Sequence, residues 1–269
     1  MTTVSLITVV RNAERHLEEA LASIHRQTYP HIEHIVVDGE STDGTGAILA
    51  RHEAAIARLI RGPDAGIYDA MNKGVAAASG QVIGFLNADD VLYPDALQQV
   101  VEALGQSDEP GFTGGPVHLL SGDGDVIGEI RPLPAPLRDR RRFLEMPFPH
   151  LSVFVHRQIF EALGGFDLRF PLRADYDFIL RMLDHGYRCE VLDRPLGGFR
   201  EGGKSAGHAT FLESRRVHQK HGVGRIQRNR ILLRSMLRFY LPRWLPLSWV
   251  NRIKRHTVSK HRYYDTPNP

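Results

Sequence analysis

Gln81-Val82-Ile83-Gly84-Phe85-Leu86-Asn87-Ala88-Asp89-Asp90 is the stretch on which the fold turns: a short apolar run that leads straight into two adjacent carboxylates. An apolar run of this length, bounded by turn residues, reads as a fully buried strand. In an open α/β sheet, ligand groups gather where the strands end. Neighbouring aspartates repel each other unless a cation or a proton compensates them. One reading is therefore a hard divalent ion, Mg²⁺ or Mn²⁺, held by one or two carboxylates together with substrate phosphates. The other is an Asp-Asp cap on the helix expected to begin near Pro94.

The residues before this stretch repeat one theme. Val4–Val10 is apolar and β-branched, and a helix is expected over Asn12–Gln27 from Leu17, Leu21 and Ile24. Ile32–Val37 reads as a second strand ending at Asp38-Gly39, followed by a helix over Thr45–Ala57. Leu59-Ile60 suggests a third strand, and Ile67–Ala78 a further helix that stops at Gly80. Strand–helix alternation at this spacing implies a parallel βαβ sheet, an α/β fold. Past Pro110 the pattern changes. Val117–Leu120 and Val126–Ile130 flank a Gly/Asp turn and read as a hairpin, so Gly122-x-Gly124 is no dinucleotide fingerprint. Pro132–Pro136 and Arg138–Arg142 suggest a loop or short helix, Ser152–Val155 a strand, Gln158–Leu163 a helical turn and Tyr176–Asp184 a helix.

At 269 residues there is room for one large α/β domain and an appendage. Cys189 is the sole cysteine, which excludes a disulfide framework and a thiolate metal site. The N-terminus reads as a first buried strand rather than a signal peptide, and no apolar window reaches membrane-spanning length. A cytoplasmic enzyme fits these features.

In chain order, four groups gather at the expected strand ends. They are Thr8-Val9-Val10-Arg11-Asn12, Asp38 with its Gly39-to-Thr45 turn, Asp64 through Lys73-Gly74, and Asn87-Ala88-Asp89-Asp90. Their succession resembles the inverting glycosyltransferases of family 2, which have the GT-A fold and use nucleotide-activated sugars; the match covers roughly Val4–Ser205. The resemblance implies that Thr8, Val10, Arg11, Asn12 and Asp38 hold the nucleoside, and that Asp64 and Lys73 line the donor, with the lysine facing the diphosphate. Asp89 matches the second acidic position of the family's D-x-D metal motif, and Asn87 stands where the first aspartate usually is. The implied metal ligand is Asp89, with Asp90 in reserve. The ion, Mg²⁺ or Mn²⁺, would act as a Lewis acid on the departing diphosphate.

In the second half, Arg173-Ala174-Asp175-Tyr176-Asp177 resembles the family's acceptor-side segment. Asp175 matches the residue that takes the acceptor hydroxyl's proton, and Asp177 is the fallback. His150 and Arg200, Gly202, Gly203 and Ser205 resemble segments near the acceptor and over the donor, the glycine-rich one a lid. Plainer readings stand beside these. Asp43 and Asp175 can be helix caps, Lys73 a solvated lysine, and His150 and His208 structural. A sugar-nucleotide nucleotidyltransferase would want a basic, glycine-rich loop after the first strand, which Arg11-Asn12-Ala13-Glu14 is not. A non-catalytic binding module of the same fold is the other rival.

The expected organisation is a GT-A-like domain over 1–213, with a nucleotide-sugar half (1–109) and an acceptor half (110–213), then a basic extension over 214–269. From Ser214 to Arg262 there are 14 Lys and Arg and no Asp or Glu, while the rest of the chain holds 20 basic and 31 acidic residues. Arg230, Arg234 and Arg238 recur at four-residue steps, with Leu233, Met236, Leu237, Tyr240 and Leu241 on the other side. Trp244, Leu245, Leu247, Trp249, Val250 and Ile253 continue the apolar theme. Such composition suits an amphipathic helix over Ile226–Ile253 lying in a membrane interface, or one packed on the domain with solvated arginines. The expected function is hexosyl transfer from a UDP-sugar, or from a GDP- or dTDP-sugar, to a glycan or lipid-linked acceptor. A place at the inner membrane face, in polysaccharide or glycolipid synthesis, would suit that acceptor. No recognisable nucleic-acid-binding fold is present, so nucleic acid is not an expected partner.

Overall fold

The computed structural model describes residues 1–106, 108–133, 146–201 and 208–244. Apolar runs form strands β1 (Val4–Val10), β2 (Ile32–Asp38), β3 (Arg58–Arg61) and β4 (Val82–Phe85). Helices α1 (Leu17–His25), α2 (Thr45–Arg51) and α3 (Ile67–Ala77) connect them. β1 pairs in parallel with β2 on one side and β4 on the other, and β3 extends the sheet beyond β2. Strand order therefore reverses about β1, and such a reversal opens a crevice at the carboxyl ends of the strands. Val10 lies opposite Asp38, Asp38 opposite Arg61, and Ile7 opposite Phe85, so the segments that follow these strands run along one edge.

Alternation along β1 fixes which side chains face which layer. Ile7 joins Ile35, Val37, Ile83 and Phe85 in a cluster sealed by Met71 of α3. Gly74 permits this close approach, since a Cβ there would lie 2.4 Å from Ile7 Cγ2. Val10 faces the opposite layer with Leu17, Leu21 and Leu49. Fully burying each such aliphatic side chain contributes about 1.5–3 kcal/mol.

The second half adds β5 (Val91–Leu92), α4 (Ala96–Leu104), β6 (Gly111–Gly114), β7 (Val117–Leu120), β8 (Val126–Ile130), β9 (Val155–His156), α5 (Arg157–Leu163), α6 (Ala174–Asp184), β10 (Arg188–Val191), β11 (Gly197–Arg200), α7 (His208–Lys220) and α8 (Arg225–Trp244). The main sheet runs β10-β6-β9-β4-β1-β2-β3, and a smaller one runs β5-β11-β7-β8. The sheet is mostly parallel, as expected, except that β9 inserts antiparallel between β4 and β6. The two halves thus share one sheet.

Several boundaries differ from the sequence reading. The first helix starts at Leu17 rather than Asn12, because Asn12 takes a left-handed conformation (φ 54°) and its neighbours bond to the turn after β2. The second ends at Arg51, a short 3₁₀ turn follows, and β3 must begin at Arg58 to pair with Ile35. Most of Ser152–Val155 is not strand, since His150–Ser152 forms a 3₁₀ turn. The segments 134–145 and 245–269, which include the basic loop and Leu245–Ile253, lie outside the described residues.

Candidate active site

The turns after β1 and β2 lock together. Asn12 N–H donates to Ser41 Oγ at 2.9 Å, and Thr42 N–H returns a bond to Asn12 Oδ1 at 2.8 Å. Asp38 is 4 % exposed at the strand end; its Oδ1 accepts Ser41 N–H at 3.0 Å, while Oδ2 lies 3.7 Å from Arg61 Nε. Asp64 comes against this turn, so close that a Cβ on Gly39 would lie 2.1 Å from its Oδ2. Arg11 borders the same glycine, with Cδ 3.5 Å from that position. Arg11, Asn12, Asp38 and Asp64 are therefore brought together.

Three expected donor residues are placed differently. Thr8 faces the α1 layer, fully buried, with Oγ1 3.1 Å from His34 Nε2. Burial drives the His34 imidazole down to about 3, so it is neutral. Val10 packs in the core and its carbonyl accepts Gly39 N–H, so it shapes the turn from below. Lys73 spends its ammonium on Pro63 O at 2.6 Å and Asp69 Oδ2 at 3.0 Å, which braces the β3–α3 loop instead of leaving the charge free for a diphosphate.

After β4 the two adjacent aspartates part company. Asp90 is 1 % exposed and both its oxygens are used: Oδ1 accepts Arg200 N–H at 3.0 Å and Oδ2 accepts Asn87 Nδ2 at 3.0 Å. Burial and the charge of Asp89 push its carboxyl up to about 7. That environment corrects the expectation of Asp90 as a reserve metal ligand. Asp89 stays partly exposed. Arg200 is not a surface lid residue. It is buried, and its guanidinium donates to Asp89 O, Ser121 O, Gly122 O and Glu19 Oε2, binding the turn to the small sheet and to α1. His16, which sequence reasoning missed, stands at the start of α1. Burial, Arg200 and Arg15 lower its affinity for a proton, against the opposing pull of Asp89.

These residues fit a divalent ion on one observation: Asn87 Oδ1 is buried without a hydrogen-bond partner beside the Asp89 turn. A carbonyl-type oxygen and one carboxylate are hard ligands, and Mg²⁺ completes such a set with phosphate oxygens and water. Among the described residues no cluster of three His, Cys, Asp or Glu gathers to hold a metal by itself.

Asp175 opens α6 and is drawn to the same edge from two sides. Tyr68 Oη, at the start of α3, donates to its Oδ1 at 2.8 Å, and His150 Nδ1 lies 3.8 Å from Oδ2. The His150 ring sits 5.6 Å from Phe85, the last residue of β4. Burial keeps this imidazole below its ordinary pKa, only partly countered by Asp175. Burial and the Asp175 charge raise the Tyr68 phenol well above 10. Tyr68 was legible only as part of the Asp64–Gly74 motif. Asp177, the fallback base, is fully buried among Arg181, Lys220 and His221. Burial alone would raise its pKa, but hydrogen bonds from His221 and Lys220 hold it low, so it is a structural ion-pair centre. Gly202, Gly203 and Ser205, and the His208 side chain, lie outside the described residues.

Residues 5–164 match the sequence profile of the family described as Glycosyl transferase family 2. An uncharacterized glycosyltransferase of Mycobacterium tuberculosis is 40% identical over 188 residues, covering 66% of this chain and 68% of the relative. A PGL/p-HBAD biosynthesis glycosyltransferase of the same species is 34% identical over 181 residues, with the same coverages. Among solved structures, S. aureus TarS 1-349 in complex with UDP-GlcNAc superposes with a TM-score of 0.64 at 17% identity, covering 88% of this chain and 72% of that one. The mannosyltransferase PcManGT from Pyrobaculum calidifontis, in complex with GDP-Man and Mn2+, gives 0.63 at 21%, covering 88% and 69%. Those two share the fold. The profile, which spans more than half of the chain, adds descent: this protein is a member of glycosyl transferase family 2.

Proposed function

We propose that the protein is a metal-dependent, inverting glycosyltransferase that moves a sugar from a nucleoside diphosphate to a hydroxyl of a glycan or lipid-linked acceptor. The observation that carries this reading is the convergence of Asp38, Asp64, Asn87, Asp89 and Asp175 on one sheet edge. The named ligands of the structural neighbours, UDP-GlcNAc and GDP-Man with Mn2+, support a nucleotide-sugar donor. The glycolipid role named for the mycobacterial relative supports such an acceptor.

Asp38 takes the nucleoside, its Oδ2 offering an acceptor to a base N–H. Asn87 and Asp89 would hold the divalent ion, which would stabilise negative charge on the departing diphosphate. Asp175 removes the proton as the acceptor oxygen bonds to the anomeric carbon and the bond to the diphosphate breaks. A single base opposite the leaving group suffices for inversion. Tyr68 holds the Asp175 carboxylate in place through its hydrogen bond, with the His150 ring beside it.

The protein acts at a membrane surface, held by α8. Ile231, 5 % exposed, seats this helix on the domain, whereas Ile226, Leu233 and Leu237 are 71 %, 59 % and 49 % exposed. They stand at i, i+7 and i+11, one stripe of a helix. Arg230 and Arg234 share that outward surface, beside the leucines rather than opposite them as the sequence suggested. Arginines flanking an apolar stripe suit anionic head groups. Among the described residues no helix is long and apolar enough to cross a membrane, so the contact is interfacial.

Incubation with UDP-, GDP- and dTDP-sugars, with and without Mn²⁺ or Mg²⁺, tests the reaction. Metal-dependent release of nucleoside diphosphate is expected, and transfer product of inverted anomeric configuration. Turnover undiminished in excess EDTA, or retained configuration, would sink this reading. Sedimentation with phosphatidylglycerol liposomes, weakening as salt rises, tests the surface.

A further inference from the structure

Away from that edge, the start of α6 and the two C-terminal helices enclose a cavity of about 100 Å³. Arg173 borders it from the residue before α6, Arg215 from α7 and Arg228 from α8. Among the described residues no carboxylate lines it. Among the described residues Arg215 Nε donates to Asn229 Oδ1 at 3.1 Å, Arg228 Nη1 to Val223 O at 3.1 Å, and Arg173 Nη1 to Met146 Sδ at 4.0 Å. Arg173 Nε and Arg228 Nε are both buried without a hydrogen-bond partner. Glu213 lies near Arg173 and already accepts Leu172 N–H at 2.7 Å.

Buried donors without acceptors are costly. What satisfies them is an anion with several oxygens. Donors that arrive from three elements match a tetrahedral phosphate better than the two coplanar oxygens of a carboxylate. Ile231 and Leu232 complete the wall, so an aliphatic group esterified to the phosphate would also find contact.

We propose that this cavity binds the phosphate of a phosphate-bearing lipid, and that this lipid carries the acceptor hydroxyl. The proposal rests on the transferase reading above and specifies the acceptor's chemical class. Arg173 immediately precedes α6 and Asp175 lies in its first turn, so the cavity and the base are set by the same helix end. α8 supplies the cavity with its inner face and exposes its apolar stripe on the outer, which places the cavity beside the surface from which a lipid would come.

The test uses the full chain with inorganic phosphate, farnesyl phosphate and farnesol as probes, binding being read by calorimetry at constant ionic strength. Both phosphates should bind and compete with each other, and farnesol should not displace them. Arg228→Gln should weaken both at least about tenfold, the usual worth of a charge-assisted bond, while nucleotide-sugar hydrolysis stays at the wild-type rate. Arg173→Gln serves as the second variant should the first not fold. Absence of phosphate binding, or equal affinity in wild type and both variants, overturns the site. Inorganic phosphate that farnesyl phosphate fails to displace overturns the lipid assignment and leaves a free-ion site. Specific phosphate binding by a protein that hydrolyses no nucleotide sugar supports the cavity and contradicts the transferase reading.

Discussion

The turn after β4 and the first turn of α6 are built on the same plan, and each resolves a pair of carboxylates differently from what adjacency suggests. In the first, Asp90 is buried under Asn87 and the Arg200 backbone, and Asp89 beside it stays accessible. In the second, Asp177 is buried against Arg181, Lys220 and His221, and Asp175 turns to Tyr68 and His150. In both, one carboxylate is buried as an anchor, Asp90 on the Arg200 backbone and Asp177 on three side chains, while its neighbour is left to face the edge. The anchors differ in charge. Asp177 is surrounded by cations and stays ionised, whereas Asp90 meets no such crowd and its carboxyl is pushed up to about 7.

Exchanging the paired residues breaks or sharpens this comparison. Asp175→Asn should lower transfer ~10²–10⁴-fold with donor affinity nearly intact, the range expected for a lost general base. Asp177→Asn should instead leave kcat within a few-fold and cost about 3–5 kcal/mol of stability, because the fully buried charge shared by Arg181, Lys220 and His221 is removed. Steady-state kinetics and urea unfolding distinguish the two, and the reverse pattern would show that the base and the anchor have been exchanged. Arg200→Ala removes side-chain donors from four acceptors, so a loss of about 2–4 kcal/mol is expected together with a weaker half-saturation for metal. Arg200→Lys should restore part of the stability. Unchanged metal dependence in Arg200→Ala would show that the turn holds its shape unaided.

The smallest effect concerns Thr8 and His34, which lie beneath the donor edge. His34 is held at about 3, below its ordinary 6.5, so the fold favours its neutral form. Stability from this group is present above pH 6.5 and is lost as pH falls toward 3, reaching about 2 kcal/mol by pH 5. Thermal unfolding of wild type and His34→Gln across pH 5–7.5 should converge at the acid end.

Much of the main sheet was legible because its strands are continuous apolar runs separated by helical periods. Asp38 and Asp89 were legible because each ends such a run. β6, β10 and β11 were not, since Gly-Phe-Thr-Gly, Arg-Cys-Glu-Val and Gly-Gly-Phe-Arg carry no periodic signal and gain their pairing from distant neighbours. The partners of Asp175 are remote in sequence, Tyr68 by 107 residues, so no local pattern could join them. Thr8 could have been placed correctly, because alternation along β1 puts it on the face of Leu6 and Val10. Lys73 carried its own signal too, four residues after Asp69 on one helix.

The most direct test of the donor edge is metal-dependent nucleotide-sugar binding by wild type, Asp89→Ala and Asp90→Asn, measured by calorimetry with Mn²⁺ and with EDTA. Asp90 acts on the metal pair only by accepting Asn87 Nδ2–H, and its amide would turn a donor toward that group, so Asp90→Asn should weaken metal-dependent binding yet keep a clear difference between Mn²⁺ and EDTA. Asp89→Ala should remain folded and lose the difference between Mn²⁺ and EDTA altogether. If Asp89→Ala keeps wild-type metal dependence, or Asp90→Asn alone abolishes it, the assignment of presented ligand and buried anchor is contradicted.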